Sequence, residues 1–406
     1  MNPLRESFVA QIVKRVASKL RGANRRLRAV PGSVRRAWRT VFPPNFEKVT
    51  APIEAAGLRA QVLESFPTDP ATLAAWDALA ARVPTATAFH TPLWIGPVVK
   101  HMVKPGRLRL IMIWDAANTS GRAPQAGRLQ EVSALVGVIA LHMRDDGLLE
   151  TAGMSVTDYL DPLVDPAHEP AVWRILLKTL SALRSARRPT VTFHAVRDAT
   201  ALRTLLPDLA KAEGFAYAEQ IADHTPQLTL PRTWDEFLAT LDSHERKETK
   251  RKINKVMTKA AGRVVRCPAD PAEIASALAH TFFLMEQAAG YKGEFVKSTL
   301  RPLLETALPP LITAGKLWLT TLFVNDQPAA VTLQFPHPAG PMLYNCGYDN
   351  AKREWSPGVV LTAETIRLAI ESGAPLYDML RGQEPYKYKL GAVDKPLWMV
   401  SLTKQS

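Results

Sequence analysis

Cysteine is nearly absent from this chain. Of 406 residues only Cys267 and Cys346 carry a thiol. Two cysteines make no disulfide framework, which fits a reducing compartment. No apolar run reaches the roughly 20 residues that a membrane-spanning helix needs. The N-terminus lacks the apolar core and small-residue cleavage site of a secretory signal, so the expected location is cytoplasmic. The nine histidines form no H-x-x-x-H pair and have no cysteine partner at ligand spacing, so no metal is expected. G-x-S-x-G, the P-loop and G-x-G-x-x-G are all missing. Serine-hydrolase, NTPase and dinucleotide-binding readings therefore lack support.

What is present is an ordinary globular composition, 47% hydrophobic and 22% charged, long enough for two domains. The charge is unevenly spread. Residues 1–40 hold eleven Lys/Arg against one acid, Glu6, a net of +10, which leaves +3 of the total +13 for the other 366 residues. Phe8, Val9, Ile12, Val16 and Leu20 recur at helical spacing, with Arg5, Lys14, Arg15, Lys19 and Arg21 mostly on other faces. Such a basic amphipathic arm suits peripheral contact with an anionic membrane, or stays solvated. "FPPNF" (42–46) reads as a linker, so the expected divisions are an arm at 1–45 and domains at 46–230 and 231–406.

Strands and helices alternate through the first domain. Residues 108–114, 131–143, 157–164 and 189–196 read as strands and 169–186 as a helix. The second domain opens with a basic helix, 242–260, in which Lys247, Arg251, Lys255 and Lys259 form a stripe. That stripe is a solvated face, or a seat for coenzyme phosphates or an anionic glycan. Helices at 271–288 and 298–314 follow. Next come a three-stranded meander (316–324, 328–335, 341–348), a helix at 356–373, a strand at 375–382 and a closing strand at 397–404. Each half repeats one pattern: a strand ending in an acid (Asp161, Asp349), a loop, a helix and a strand. A duplicated fold is therefore expected.

Two stretches carry candidate chemistry. Ser356 suits an N-cap and Pro357 the first helical position. Gly358 removes bulk beside the amides of Val359 and Val360, so the helix start either suits an anion such as a pyrophosphate or is an ordinary capped helix. Further on, Asp378 shares a strand face with Leu376 and Leu380. A carboxylate there needs a partner or a raised pKa, which makes it either a general base or a structural acid bonded to the loop, to Arg381 or to Lys387. Tyr344 and Tyr348 flank Cys346, as core aromatics or as a phenolic acid in a cleft.

The stretch "YNCGYDNAKREWSPGVVLTAETIRLAIESGAPLYDMLRGQEPYKYKLG" (344–391) resembles the C-terminal part of GNAT-superfamily acyltransferases of the cellulose-biosynthesis (CelD/BcsL) type. Its Asp378–Lys387 segment matches their ending, with Met379 and Gln383 in place of the commoner Phe and acid. "HERKETKRKINK" (244–255), "FHTPLWIGPVVKH" (89–101) and "TDYLDPLV" (157–164) are similar to further motifs of the family. The resemblance implies an α/β (α+β) architecture of two tandem GNAT-like domains, mixed sheets flanked by helices, as in the Fem-type transferases. It implies acetyl-CoA or another acyl-CoA as co-substrate and an amine, hydroxyl or glycan acceptor. Ser356, Pro357, Gly358, Val359 and Val360 would meet the coenzyme. Asp378 is the first candidate base and Glu384 the second, with Tyr386 or Tyr344 as proton donor. Arg381, Lys387 and Tyr348 would bind substrate. The rivals are aminoacyl transfer of the Fem kind and a non-catalytic protein docking through residues 1–40. Nucleic acid is a poor partner, since the arm has one tryptophan, Trp38, and no reading module.

Overall fold

The computed structural model describes residues 52–115, 134–183, 190–287 and 291–405. The basic arm lies outside the described residues. The chain forms a mixed α/β fold and divides into two compact units, one within Trp38–His224 plus Pro396–Ser406 and one within Thr225–Lys395.

The N-terminal unit contains β1 (Ile53–Ala55), β2 (Leu58–Leu63), helix α1 (Pro70–Arg82), helix α2 (Pro92–Met102), β3 (Leu108–Asp115), β4 (Leu135–Met143), β5 (Leu149–Thr151), β6 (Leu163–Val164), helix α3 (Glu169–Ala182) and β7 (Thr190–Arg197). Strands β1 to β5 form an antiparallel meander. Helix α3 then returns the chain so that β7 lies parallel to β5, with Leu149 opposite Val191. One face of α3 (Val172, Ile175, Leu176, Leu180) joins Ile111, Ile113, Ile139 and Leu141 in the core. Helical spacing of apolar residues on α3 and alternation on the strands make these faces coincide.

The closing strand departs from the expected division. Residues 397–403 pair antiparallel with β7, from Leu397 opposite Arg197 to Thr403 opposite Thr190. Sequence order assigns this strand to the second domain; its hydrogen bonds assign it to the first. The expected strand at 157–164 shrinks to Leu163–Val164. The rest is held by side chains instead. Asp161 is buried and bonded through both oxygens to Arg197, and its backbone carbonyl accepts from His90 Nε2 at 3.0 Å. The Thr87 N–H donates to His90 Nδ1 at 3.0 Å, so the proton of the neutral ring sits on Nε2. The two N-terminal motifs thus meet, and Trp94 Nε1 donates to Thr157 Oγ1 (2.9 Å) beside them.

Burial is the main influence on His90 and holds its pKa down to about 4, against the pull of Asp161. An unfolded imidazole titrates near 6.5. The unfolded chain therefore binds the extra proton first, and stability falls as pH drops from about 6.5 to about 4. The expected loss is up to about 3 kcal/mol. Urea unfolding followed by tryptophan fluorescence at pH 7, 5.5 and 4.5 checks this, because Trp76 Nε1 donates to the His90 carbonyl (2.7 Å). The variant His90→Gln should flatten that slope.

The C-terminal unit holds the end of β8 (Phe215–Thr229), helix α4 (Ser243–Lys259), β9 (Arg263–Arg266), helix α5 (Pro271–Met285), helix α6 (Arg301–Thr313), β10 (Trp318–Val324), β11 (Gln327–Phe335), β12 (Met342–Tyr348), helix α7 (Pro357–Glu371), β13 (Leu376–Asp378) and short helix α8 (Pro385–Lys389). Strands β9 to β12 are an antiparallel meander. Helix α7 connects β12 to the parallel β13, which pairs antiparallel with β8. Each unit therefore has a meander, a returning helix, a parallel strand and a last antiparallel strand from another part of the chain.

One side of α7 is buried in the unit's core. Ala363, Ile366 and Ile370 pack with Leu343, Tyr377 and Met379, and Val360 and Leu361 with Val256, Leu322 and Ala330. Gly340, at φ +131°, sits in the turn before β12, where an added Cβ would stand 1.7 Å from the Leu376 carbonyl. Only glycine lets β12 and β13 start this close together.

Candidate active site

The parallel pairing of β12 with β13 consists of one register pair, Met342 opposite Asp378, plus an Asp378 N–H bond to the Pro341 carbonyl at 3.0 Å. Beyond it, β13 stops while β12 runs on to Tyr348. The expected strand at 375–382 is shorter because Leu380 adopts φ +50°, outside the extended region. Strand β12 also bulges. Leu333 faces Asn345 and Gln334 faces Leu343, which leaves Tyr344 as the extra residue. Past the bulge the Cys346 N–H donates to Asn345 Oδ1 at 2.8 Å. A backbone donor on an open edge is thus held by a side chain that a ligand carbonyl can replace.

The start of α7 stands at the far end of β12. Ser356 occupies the N-cap position, but at φ +49° and with no capping bond from its side chain. Pro357 takes the first helical position as expected. The Val360 N–H donates to the Ser356 carbonyl at 3.1 Å, so the expectation of a bare Val360 amide is corrected. The first-turn donors without an intrahelical acceptor are those of Gly358 and Val359, ahead of the first helical bond. Gly358 keeps them accessible: a Cβ there would approach Tyr348 Cδ1 to 3.2 Å. Tyr348, 46% exposed, forms the wall beside this helix start. This environment suits an anion with an extended arm, so the residues fit an acyl-CoA.

Asp378 is buried and amply bonded. Thr225 Oγ1 (2.9 Å) and the Leu380 N–H (2.9 Å) donate to Oδ1, and Gln227 Nε2 (3.0 Å) donates to Oδ2. It ties β8 to the loop after β13, as the structural alternative requires. Sequence reasoning missed Thr225 and Gln227, which lie 153 and 151 residues away. The burial cost of a carboxylate predicts that donors exist, not which ones.

Lys387 differs from its expected place at a substrate. Its side chain is 4% exposed, and Nζ donates to the carbonyls of Met379 (2.9 Å), Leu380 (3.4 Å), Arg381 (2.9 Å) and Gly382 (2.9 Å). Glu384 Oε2 lies 3.2 Å from the same nitrogen. The ammonium gathers the loop around itself and sustains the positive φ of Leu380 and Gly382. Arg381 is half-buried on this loop.

The remaining candidates separate by exposure. The Glu384 side chain is 41% exposed and borders Gly382. Tyr386 reaches Cys346 Sγ with its hydroxyl at 3.9 Å. Burial, then Cys346 and Glu384, push this phenol well above its ordinary pKa, so it stays protonated. Tyr344, half-buried, packs its ring on Phe335, centroids 5.4 Å apart. Tyr377 is fully buried, donor or acceptor to Thr365 Oγ1 (2.8 Å) and acceptor from Gln334 Nε2 (2.9 Å). Tyr386 thus touches Cys346 on β12, and Tyr348, two residues further along that strand, stands against Gly358 at the start of α7.

No curated protein sequence matches the chain. Among solved structures, FemX is similar over 81% of this chain and 95% of its own, with 14% identity and a TM-score of 0.52. A conserved protein of unknown function from Bacteroides thetaiotaomicron is similar over 84% and 100%, with 13% identity and a TM-score of 0.50. A tandem GNAT protein from the clavulanic acid biosynthesis pathway covers 86% and 99%, at 17% identity and a TM-score of 0.44. The first two similarities establish a shared fold across both units. Residues 243–388, which hold the start of α7 and the loop gathered by Lys387, match the family model described as an acetyltransferase (GNAT) domain.

Proposed function

We propose that the chain is an acyltransferase that moves an acyl group from acyl-CoA directly to an amine or hydroxyl, on a small-molecule or glycan acceptor of the cell envelope, as enzymes of the cellulose-biosynthesis type do. One observation carries the reading. The β12–β13 pairing ends after a single pair, beside a helix start whose Gly358 and Val359 amides precede the first helical bond. The C-terminal unit is the donor-binding one. In the N-terminal unit the corresponding helix, α3, has Glu169 in its first turn, which repels a phosphate.

In this reading the Gly358 and Val359 amides hold the pyrophosphate and Tyr348 walls the arm. The thioester carbonyl takes the Cys346 N–H in place of Asn345 Oδ1, which polarises it at a fixed position. Glu384 accepts the acceptor's proton. Tyr386, kept protonated, donates a hydrogen bond to the departing thiolate. Asp378 and Lys387 shape the loop and do not touch substrate; Arg381 faces an anionic portion of the acceptor. The protein works in the cytoplasm, with residues 1–40 resting on the inner face of the membrane. Aminoacyl transfer of the Fem kind is the second reading, favoured by the fold shared with FemX.

Acetyl-CoA or a longer acyl-CoA should raise the melting temperature, by about 2.7 kcal/mol of added stability at a hundred times Kd. Gly358→Val should weaken binding tenfold or more with the apo melting temperature within a few degrees, because the new side chain meets Tyr348 and covers the amides. No shift with any acyl-CoA would sink the reading.

A further inference from the structure

The outermost strands of the fold are guarded. β1 has three residues, and β9 has four, beginning and ending in arginine. Short, charged edges resist pairing with another chain. Strand β8 has no such guard along its N-terminal part, Phe215 to His224, which belongs to the N-terminal unit. The closing strand β14 (Val393–Lys404) flanks it on one side, and just beyond, the Gln405 N–H donates to the Gly214 carbonyl at 2.9 Å. β13, its other neighbour, bonds only to Gln227, Leu228 and Thr229. Residues 215–224 therefore have a single strand neighbour among the described residues. Their sequence, FAYAEQIADH, contains no proline, glycine, lysine or arginine. Side chains alternate between the two faces of a strand. Every residue from Ala218 to Ala222 is exposed, so neither face is covered there, and Ile221 is 51% exposed.

We propose that this edge pairs with the same edge of a second copy of the chain, antiparallel, about a twofold axis at Gln220. A twofold axis normal to the sheet sets residues symmetric about one centre opposite each other. Centred on Gln220, Ala218 of each copy faces Ala222 of the other, and Glu219 faces Ile221. No like charges are opposed, and each exposed isoleucine is covered by the stem of a glutamate. Centring on Glu219 sets that acid against itself, and centring on Ile221 sets it against Asp223. Like charges directly opposite are destabilising. Centres at Ala218 or Ala222 run the overlap into Phe215, which is buried, or toward Pro226, whose carbonyl already accepts the Met379 N–H at 2.9 Å. Glu219 is also neutralised within its own chain. Arg203 Nε and Nη2 donate to its two oxygens at 3.0 and 2.9 Å, and the Tyr217 hydroxyl donates at 2.6 Å. The exposed run therefore brings no uncompensated charge to the pairing. The backbone groups that an open edge leaves to water gain partners instead. A strand from an unrelated protein has no such fixed register, whereas this one complements itself. The pairing does not depend on the acyl-transfer reading.

The test is gel filtration with light scattering of the full-length chain, from about 5 to about 200 µM, since association follows mass action. The mass should rise from 44.7 kDa toward twice that value. Gln220→Lys sets two ammonium groups opposite each other and should raise the dissociation constant about tenfold or more. Gln220 is exposed, so the circular dichroism spectrum of the variant should be unchanged. Gln220→Cys should form a disulfide-linked dimer on mild oxidation, because side chains directly opposite have Cβ atoms about 4.5–5.5 Å apart. Ala216→Cys, four residues from the axis, should not, and the wild-type chain controls for Cys267 and Cys346. A wild-type mass of 44.7 kDa over the whole range overturns the proposal and leaves the edge to a strand from another protein. A dimer that Gln220→Lys leaves intact, or that cross-links through Ala216→Cys instead, overturns it as well.

Discussion

Lys387→Met will destabilise the C-terminal unit by about 3–5 kcal/mol, the cost typical of removing one partner from a buried charged network. Methionine fills a similar volume, so the loss is not one of packing. It arises because the carbonyls of residues 379–382 all converge on one nitrogen. Without it they remain buried and unbonded, at about 1–3 kcal/mol each unless the loop opens to water. Opening relieves them but surrenders Leu380, fully buried at positive φ, and the Asp378 bond to the Leu380 N–H. Urea denaturation of apo protein checks the value. A loss below about 1 kcal/mol would mean that the ammonium is not holding the loop. Lys387→Arg should also fail, since a planar guanidinium cannot present its donors to four converging carbonyls.

What a sequence reveals here follows how far each property depends on distant residues. The start of α7 is legible because Ser-Pro-Gly acts locally: proline fits the first position and glycine keeps it open. The fate of the Val360 N–H is legible in principle too, from the fourth-residue rule, and the expectation errs by one turn position. The meander is legible from alternating apolar residues broken at "NDQ" and "PHPAG". The closing strand's partner is not, because antiparallel pairing has no local signature of which strand it joins. Its residues 397–403 pair with β7, about two hundred residues earlier in the chain. Lys387 misleads for a related reason. Charge beside tyrosines and glycines reads as an exposed loop, whereas here the charge is what the loop is folded around. Burial of a lysine is rare enough that no pattern of neighbours announces it.

Glu384→Gln should lower turnover by a factor of about 10² to 10⁴, the range of a lost general base, while leaving the acyl-CoA melting shift intact. Asp378→Asn should behave in the opposite way. Asparagine keeps one acceptor for Thr225 and the Leu380 N–H but turns an amide toward Gln227, where a carboxylate oxygen accepted at 3.0 Å. Rotation of the Gln227 amide relieves that clash, so the cost is about 1–3 kcal/mol of stability with turnover within a few fold. The two acids differ in access, not in chemistry. Asp378 is 4% exposed with both oxygens engaged, and a base must reach the proton it takes. Glu384 is 41% exposed on the side chain, with Lys387 holding one oxygen. Thiol release from acyl-CoA, measured across a panel of amine and sugar acceptors, compares the variants whichever acceptor is the natural one. If Asp378→Asn abolishes thiol release while Glu384→Gln does not, the base is the buried acid. Proton transfer would then have to run through the Thr225 hydroxyl.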